Sequence, residues 1–545
     1  MNSWRKTALS VVVGAPASLL VLLCCGLPLA WMCLQVAANP VVWHDLQLSS
    51  FRFWLLARTV GYNVGVGVLA TAMALPAAIV LGRGRGLWAK VLWCILPAAL
   101  LMPSLAYAYG WSQFMVLNRE RFEAIGIVFA PGGPADVLRC VWTLAAWLWP
   151  VPAGLIGLAL RRMDTAVQQH ALLDGTLWRV TFRQLVGPIV ASSAIVTMLA
   201  TQEFAVYEPT GITVVATEVR MVFESGAFSG IGGLAGGVSP DQAARAAAAI
   251  ATAIPLLLTT IALAALAAWG ATRRGAADAI AQVDWPRRLS APVWTYLAAG
   301  VLVALTVAVP VGSLALSLRS AFSPARIWAQ FGDEIGGAAM LGMIAAAAAL
   351  ALAVAAAGQW RSRRLALATV SFLVGGQLLA IALIRIYNRP HLAWAYDNFP
   401  VPVMAYLGRF AWLPLLAARG TWTKPWRELR DMAASDGAGP LATVRHVVWP
   451  LAWPMLVASA LLVGALSLNE VPATVILQPL NPQVLTPMVM SWVHIQRYDA
   501  MIEASLTMLA VVLLPAGAAV AMLAWAAGKA RAVVRMGAGV RNDRH

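Results

Sequence analysis

The sequence predicts an all-α, polytopic membrane protein of about twelve spans, and three observations predict it. Composition is the first: 61% of the 545 residues are hydrophobic and 11% charged, against roughly 45–50% and about 25% in a soluble domain. A water-soluble fold of this length could not hide so much apolar surface. Run length is the second. Apolar stretches of about 20 residues recur, enough to cross a hydrocarbon core of roughly 30 Å as helices, which satisfy their own backbone groups in lipid. Charge placement is the third. Basic residues gather between the runs, at Arg83, Arg85 and Lys90, at Arg161 and Arg162, at Arg273 and Arg274, and at Arg361, Arg363 and Arg364.

Taken in order, the runs fall at about 9–36, 59–81, 88–111, 138–160, 187–210 and 243–269, then 293–317, 335–358, 365–388, 401–419, 451–474 and 501–527. The first follows Trp4-Arg5-Lys6 and reads as a retained span rather than a cleaved signal. An even number places both termini on one side. With that side cytoplasmic, about two-thirds of the 39 Lys and Arg fall in cytoplasmic segments, the bias expected of short loops. The formal charge of +16 is therefore a topology signal, and nucleic acid is not an expected partner. The tail, with Lys529, Arg531, Arg535, Arg541 and Arg544, fits a cytoplasmic end against lipid headgroups. Cys24, Cys25, Cys33, Cys94 and Cys140 lie in or near apolar runs without metal-ligand spacing and read as small buried hydrophobes.

The stretch 271–292 is the longest charged, Pro-containing break near the middle. It reads as a cytoplasmic linker between residues 1–270 and 293–545, six spans each. Two loops support this division. QHALLDGTLWRVTFRQLVGP (169–188) and DMAASDGAGPLATVRHVVWP (431–450) align without a gap at an offset of 262 residues. Ala171, Asp174, Gly175, Thr181, Arg183, Val186 and Pro188 recur as Ala433, Asp436, Gly437, Thr443, Arg445, Val448 and Pro450. Duplication explains that register better than chance. Asp-Gly is a turn dipeptide whose Gly can end a helix at positive φ. Apolar residues at helical spacing follow: Leu177, Trp178, Thr181, Phe182 and Leu185 in one loop, Leu441, Val444, Val447 and Val448 in the other. They predict a short amphipathic helix lying beside the membrane, with Pro188 and Pro450 starting the next spans. Such a helix can fill a partner's groove while its Arg pairs with a carboxylate.

These loops resemble the EAA loop of binding-protein-dependent ABC importer permeases: E-A-A, three residues, Gly, nine residues, then I-x-L-P. Both Gly-to-Pro spacings match. Gln169-His170 and Asp431-Met432 replace E-A, and Gly187 and Trp449 replace the Leu. The resemblance covers nearly the whole chain, as two fused six-span units of the type I importer architecture, similar to the permeases of ferric-iron and thiamine importers. It implies that the loop helices couple to nucleotide-binding subunits. It also implies a soluble binding protein on the outer side and a bacterial inner-membrane location.

No G-x-x-x-x-G-K-[ST] loop occurs; Gly528-Lys529 lacks both the upstream Gly and the Ser or Thr. ATP and Mg are accordingly expected on two partner ATPase subunits, arranged about a pseudo-two-fold axis. This chain itself is expected to be a transport subunit without cofactor or catalytic residue. Neither H-E-x-x-H nor a G-x-S-x-G elbow argues for an enzyme.

The same offset pairs Glu208 with Glu470, each 20 residues past its Pro. Carboxylates in or near lipid are expensive, so a bundle-facing pair on the substrate pathway is weighed evenly against structural carboxylates held by neighbouring helices. Glu203 is a third candidate without a partner in the second half. Arg385, Tyr387, Asn388, Arg389, His391 and Asp397 cluster at an outer end and read as an interfacial belt. A parallel-repeat secondary transporter is the alternative function; paired docking loops argue against it. Ferric iron leads the substrate expectation, with thiamine or another small polar solute behind.

Overall fold

A computed structural model describes residues 15–46, 49–84, 86–127, 132–163, 165–225, 242–272, 290–318, 323–358, 360–422, 424–495 and 498–542. Most of the expected linker, 273–289, lies outside them. Every regular element among them is helical. In chain order the helices used below are α1 (Ala15–Ala38), α2 (Ser50–Arg83), α3 (Leu87–Leu100), α4 (Ser104–Leu117), α5 (Pro134–Leu148) and α6 (Pro150–Arg161). There follow α7 (Thr165–Leu173), α8 (Leu177–Thr201), α9 (Val215–Ser225) and α10 (Gln242–Thr272). The second half begins with α11 (Val293–Leu316), α12 (Pro324–Gly358), α13 (Ser362–Val374) and α14 (Gly376–Tyr387). It continues with α15 (Pro400–Phe410), α16 (Trp412–Gly420), α17 (Lys424–Ser435) and α18 (440–468). The last are α19 (Val471–Leu477), α20 (Leu485–Ile495) and α21 (Tyr498–Asn542).

Eight helices are long and apolar enough to cross a membrane, or up to eleven if each of three bent pairs is one span. The chain is a multi-pass helical membrane protein. The bends have local causes. α5 meets α6 at 43°, where Pro150 and Pro152 follow Trp149. α13 meets α14 at 103°, across Gly375 with φ +95°, a conformation that strains any residue with a Cβ. The third bend, 51°, separates α15 from α16 at Ala411. It lies 262 residues after the first, so the duplication seen in the loops extends to the kinks.

The described residues form two compact units. One holds α1, α12 to α19 and α21 from Met508 on; the other holds α2 to α11 and the start of α21. Each unit thus includes the first helix of the other sequence half, α1 in one and α11 in the other. In the first unit, α1 loosens into a π-helical stretch at Leu22–Gly26, and Cys25 Sγ approaches the Gly408 carbonyl at 3.9 Å. Here α12 and α18 cross closely: a methyl on Gly464 would stand 3.1 Å from the Gly342 carbonyl oxygen. Small residues permit such approaches where lipid offers no hydrophobic drive. In the second unit, the π-stretch of α11, Ala304–Ala308, receives two buried hydrogen bonds. Tyr107 Oη donates to the Thr306 carbonyl (2.7 Å) and Trp149 Nε1 to Thr306 Oγ1 (3.1 Å). A widened turn exposes backbone oxygens to outside donors.

Two expectations need correction. The residues after each loop glycine do not form a separate lateral helix, and the prolines do not start the spans. Pro188 lies inside α8, and residues 440–468 run as one helix through Pro450. Proline removes a hydrogen bond and crowds the preceding turn. In α18 the π-helical stretch Val444–Val448, immediately before Pro450, supplies the wider turn that accommodates it. The span expected at 187–210 therefore begins at Leu177 and ends at Thr201. Similarly, 88–111 is divided between α3 and α4 around Pro103, whereas the expected 335–358 is the part of α12 that follows a kink at Phe331 (φ −132°).

Candidate functional site

The loop frame is a helix-ending turn repeated bond for bond. After α7, the amide of Thr176 donates to the Ala171 carbonyl (2.8 Å) and that of Gly175 to Leu172 (3.2 Å). After α17, Ala438 donates to Ala433 (2.9 Å) and Gly437 to Ala434 (3.0 Å). Gly175 and Gly437 take φ of +66° and +82°. Paired bonds of this kind, closed by a left-handed residue, define a Schellman cap. The shared Ala and Gly thus have a physical meaning: the Ala supplies the carbonyl that the cap closes on, and the Gly supplies the left-handed turn. Nothing lies within 4 Å of a Cβ built on either Gly, so the positive φ, and not crowding, demands glycine there.

The separate short helices of the two loops are therefore α7 and α17, before the glycine, rather than helices after it. Around the first, Leu172, Leu173, Trp178 and Phe182 are exposed; around the second, Leu429, Met432, Trp449 and Leu451 are. Asp174, Arg183, Asp436 and Arg445 are exposed as well, whereas Ala171 and Pro188 are buried. Ala433 is half-buried and Pro450 exposed. Arginines anchor the loops to the long helices. Arg83 Nη2 donates to Thr181 Oγ1 (3.1 Å), and Arg161 Nε to the Leu81 carbonyl (2.7 Å). Arg430, on α17, donates to the Ala357 carbonyl (2.8 Å) with its guanidinium 4.0 Å from the Trp422 ring. Burial pulls the Arg430 pKa down. Cations on the carbonyl ends of α2 and α12 complement the helix dipoles.

Glu208 and Glu470 are equivalent in sequence and unlike in surroundings. Both lie past the end of a span, not within it: Glu208 opens the turn Glu208–Thr210, and Glu470 is the N-cap of α19. Glu208 is half-buried, and both its oxygens stand 2.6 Å from Arg220 Nη1. Arg220 also bonds Glu224 (2.8 Å) and lies 5.3 Å from the Phe204 ring centre. Glu470 is fully enclosed. One of its oxygens accepts from the Ala473 amide (3.3 Å) and the other faces Arg409 Nε at 3.6 Å. Arg409 in turn donates to the Phe372 carbonyl (2.7 Å), 4.7 Å from that ring's centre. Thr474 donates to the Glu470 carbonyl, and Tyr406 Oη meets Thr474 Oγ1 at 3.1 Å. Glu203 is buried in the turn that follows α8.

A scan of family models and searches of curated proteins and solved structures return no match.

Among the described residues, no group of three or more His, Cys, Asp or Glu is placed to hold a metal ion. Arg385, Tyr387, Asn388, Arg389 and His391 stay together at the end of α14 and in the turn beyond it, with Asp397 one short helix later. Sequence reasoning missed Arg409 and Arg220. The signal for Arg409 was present, because it is a charged residue inside the apolar run 401–419, and such residues mark functional or paired sites. Its partner, 61 positions away across another loop, carries no sequence signature. Arg220 lies outside the twelve runs, where nothing singles it out.

Proposed function

We propose that this chain is the membrane permease of an ATP-driven, binding-protein-dependent importer of the type I architecture. It consists of two fused six-span units, twelve spans in all, with both termini cytoplasmic in a bacterial inner membrane. The observation that carries the reading is the duplicated Schellman turn, whose short helices α7 and α17 present exposed apolar side chains, with exposed Arg183 and Arg445 on the helices that follow. Two copies of one docking element call for two copies of one partner. ATP-binding cassette subunits are the class of partner that such a pair serves, and they supply the ATP and Mg chemistry that this sequence lacks.

Closure of the two ATPase subunits on ATP draws the two loops together. Each loop continues without interruption into a 25-residue span, Leu177–Thr201 or Val444–Leu468. A displacement at the cap is therefore delivered along a continuous helix to the breaks that hold Glu208 and Glu470. Alternating access then passes a small solute, received from a soluble binding protein outside, to the cytoplasm. Ferric iron is the leading candidate as cargo.

The test is purification of the tagged chain from its own membranes in mild detergent, with mass spectrometry of what accompanies it. The reading expects an ATP-binding cassette subunit at two copies per chain, with hydrolysis rising when a soluble binding protein and its ligand are added. A chain that comes alone and moves its solute down an imposed ion gradient would sink it in favour of a secondary transporter.

A further inference from the structure

In the unit that holds it, Glu470 stands where two chain breaks meet. One is the α18-to-α19 junction, which Glu470 caps. The other is the 103° bend between α13 and α14, whose first helical residue after the bend is Gly376. A methyl on Gly376 would collide with Glu470 Oε1, so the carboxylate is seated directly against the start of α14. From the opposite side Arg409, on α15, donates to the Phe372 carbonyl, three residues before Gly375, while its Nε faces Glu470. One ion pair, 6% exposed at each partner, thus touches both breaks.

At the equivalent place in the first half, Trp147 stands for Arg409. Its indole Nε1 donates to the Met102 carbonyl (3.0 Å) in the α3-to-α4 break, a backbone contact made without a charge. Glu208 has turned to Arg220 instead. Evolution of the two halves from one repeat therefore left a neutral fastening in one and a charged one in the other. A buried ion pair stabilises less than an apolar contact of the same size, and it is costly to break one-sidedly. It is suited to a junction that must be definite in one state and must part in another.

We propose that Arg409 and Glu470 form a charge clasp. It holds the α13/α14 and α18/α19 breaks in register in the resting state and releases them during the transport cycle, with Gly376 conserving the space the carboxylate needs. Arg409 and Gly376 are then positioning residues for translocation, a role that rests on the importer reading.

Hydrogen–deuterium exchange on the full-length chain in nanodiscs tests the clasp without any transport assay. E470Q keeps the shape and removes the charge; it should raise exchange at Gly376–Tyr387 and Val471–Leu477 by at least about tenfold, with α4 and α9 unmoved. G376A, which changes no charge, should do the same. The double variant R409Q/E470Q, leaving no lone charge, should be less perturbed than R409Q alone. In complexes reconstituted with the ATPase and binding protein, E470Q should hydrolyse ATP without the binding protein while uptake falls at least about tenfold. A merely structural defect lowers both in proportion. Unchanged exchange in E470Q and G376A overturns the clasp and leaves the importer intact. Failure to recover any ATPase overturns the importer, while the exchange result still decides the clasp.

Discussion

The two loops and the two acids were copied together, yet they have diverged at different rates in structural terms. At the loops, α7 and α17 end in the same pair of hydrogen bonds, on the same residue types, with glycines within 16° of one another in φ. At the acids, the register is kept while the partners are not: Arg220 for a half-buried Glu208, Arg409 for an enclosed Glu470. A surface that meets two identical partners must stay alike on both sides. A pathway that meets one solute need not. On the proposed function, the divergence sorts the molecule into a part that a repeated partner would read and a part free to specialise.

The comparison can be broken most severely at Arg409. Replacing it by Leu leaves Glu470 buried without its cation, which should cost about 3–5 kcal/mol. Trp147→Leu at the equivalent position loses a single hydrogen bond and some packing, about 1–3 kcal/mol. Unfolding midpoints of the two purified variants should differ in that order; equal losses would remove the asymmetry claimed for the halves. Next come Gly175→Val and Gly437→Val. Each forces a β-branched residue to positive φ, at about 1–2 kcal/mol, and both should lower ATPase retention on purification to a similar extent. A loss confined to one loop would deny their equivalence. Leu173→Glu and Met432→Glu should weaken that retention with little change in melting, because both side chains are exposed. Arg220→Gln comes last. Arg220 is 13% exposed and its partners Glu208 and Glu224 are 20% and 40% exposed, so the expected change in stability is about 1 kcal/mol, the upper end for pairs open to solvent.

Much of this was legible in the sequence, for physical reasons. Apolar runs in lipid have little choice but helix, so the fold class follows from composition. The duplicated Ala, Gly and Pro could be found by offset alone, and the turn at Gly175 and Gly437 follows from Asp-Gly chemistry. The misplacement of the short loop helices has a cause as well. A proline at a loop's end reads as the start of a span, whereas Pro188 lies inside α8 and Pro450 follows the widened turn Val444–Val448. Helix breaks in apolar segments are also nearly silent in sequence. Gly375 is one glycine among 43; its pairing with Gly376 permits a break but does not announce a bend of 103°. Pairings such as Arg409 with Glu470 depend on which helices adjoin, and adjacency is not written in local pattern.

The interleaved first helices have a consequence in time. Cys25 on α1 finds Gly408 383 residues later, and ribosomes add about 5–20 residues per second. For roughly 20–75 s of synthesis α1 is therefore in the membrane before its neighbours exist. Lipid makes that wait tolerable, because an apolar helix there needs no partner to satisfy its backbone. What waits unsatisfied is its packing surface. The newborn first half is consequently open to the wrong helix for most of the time that the second half takes to arrive.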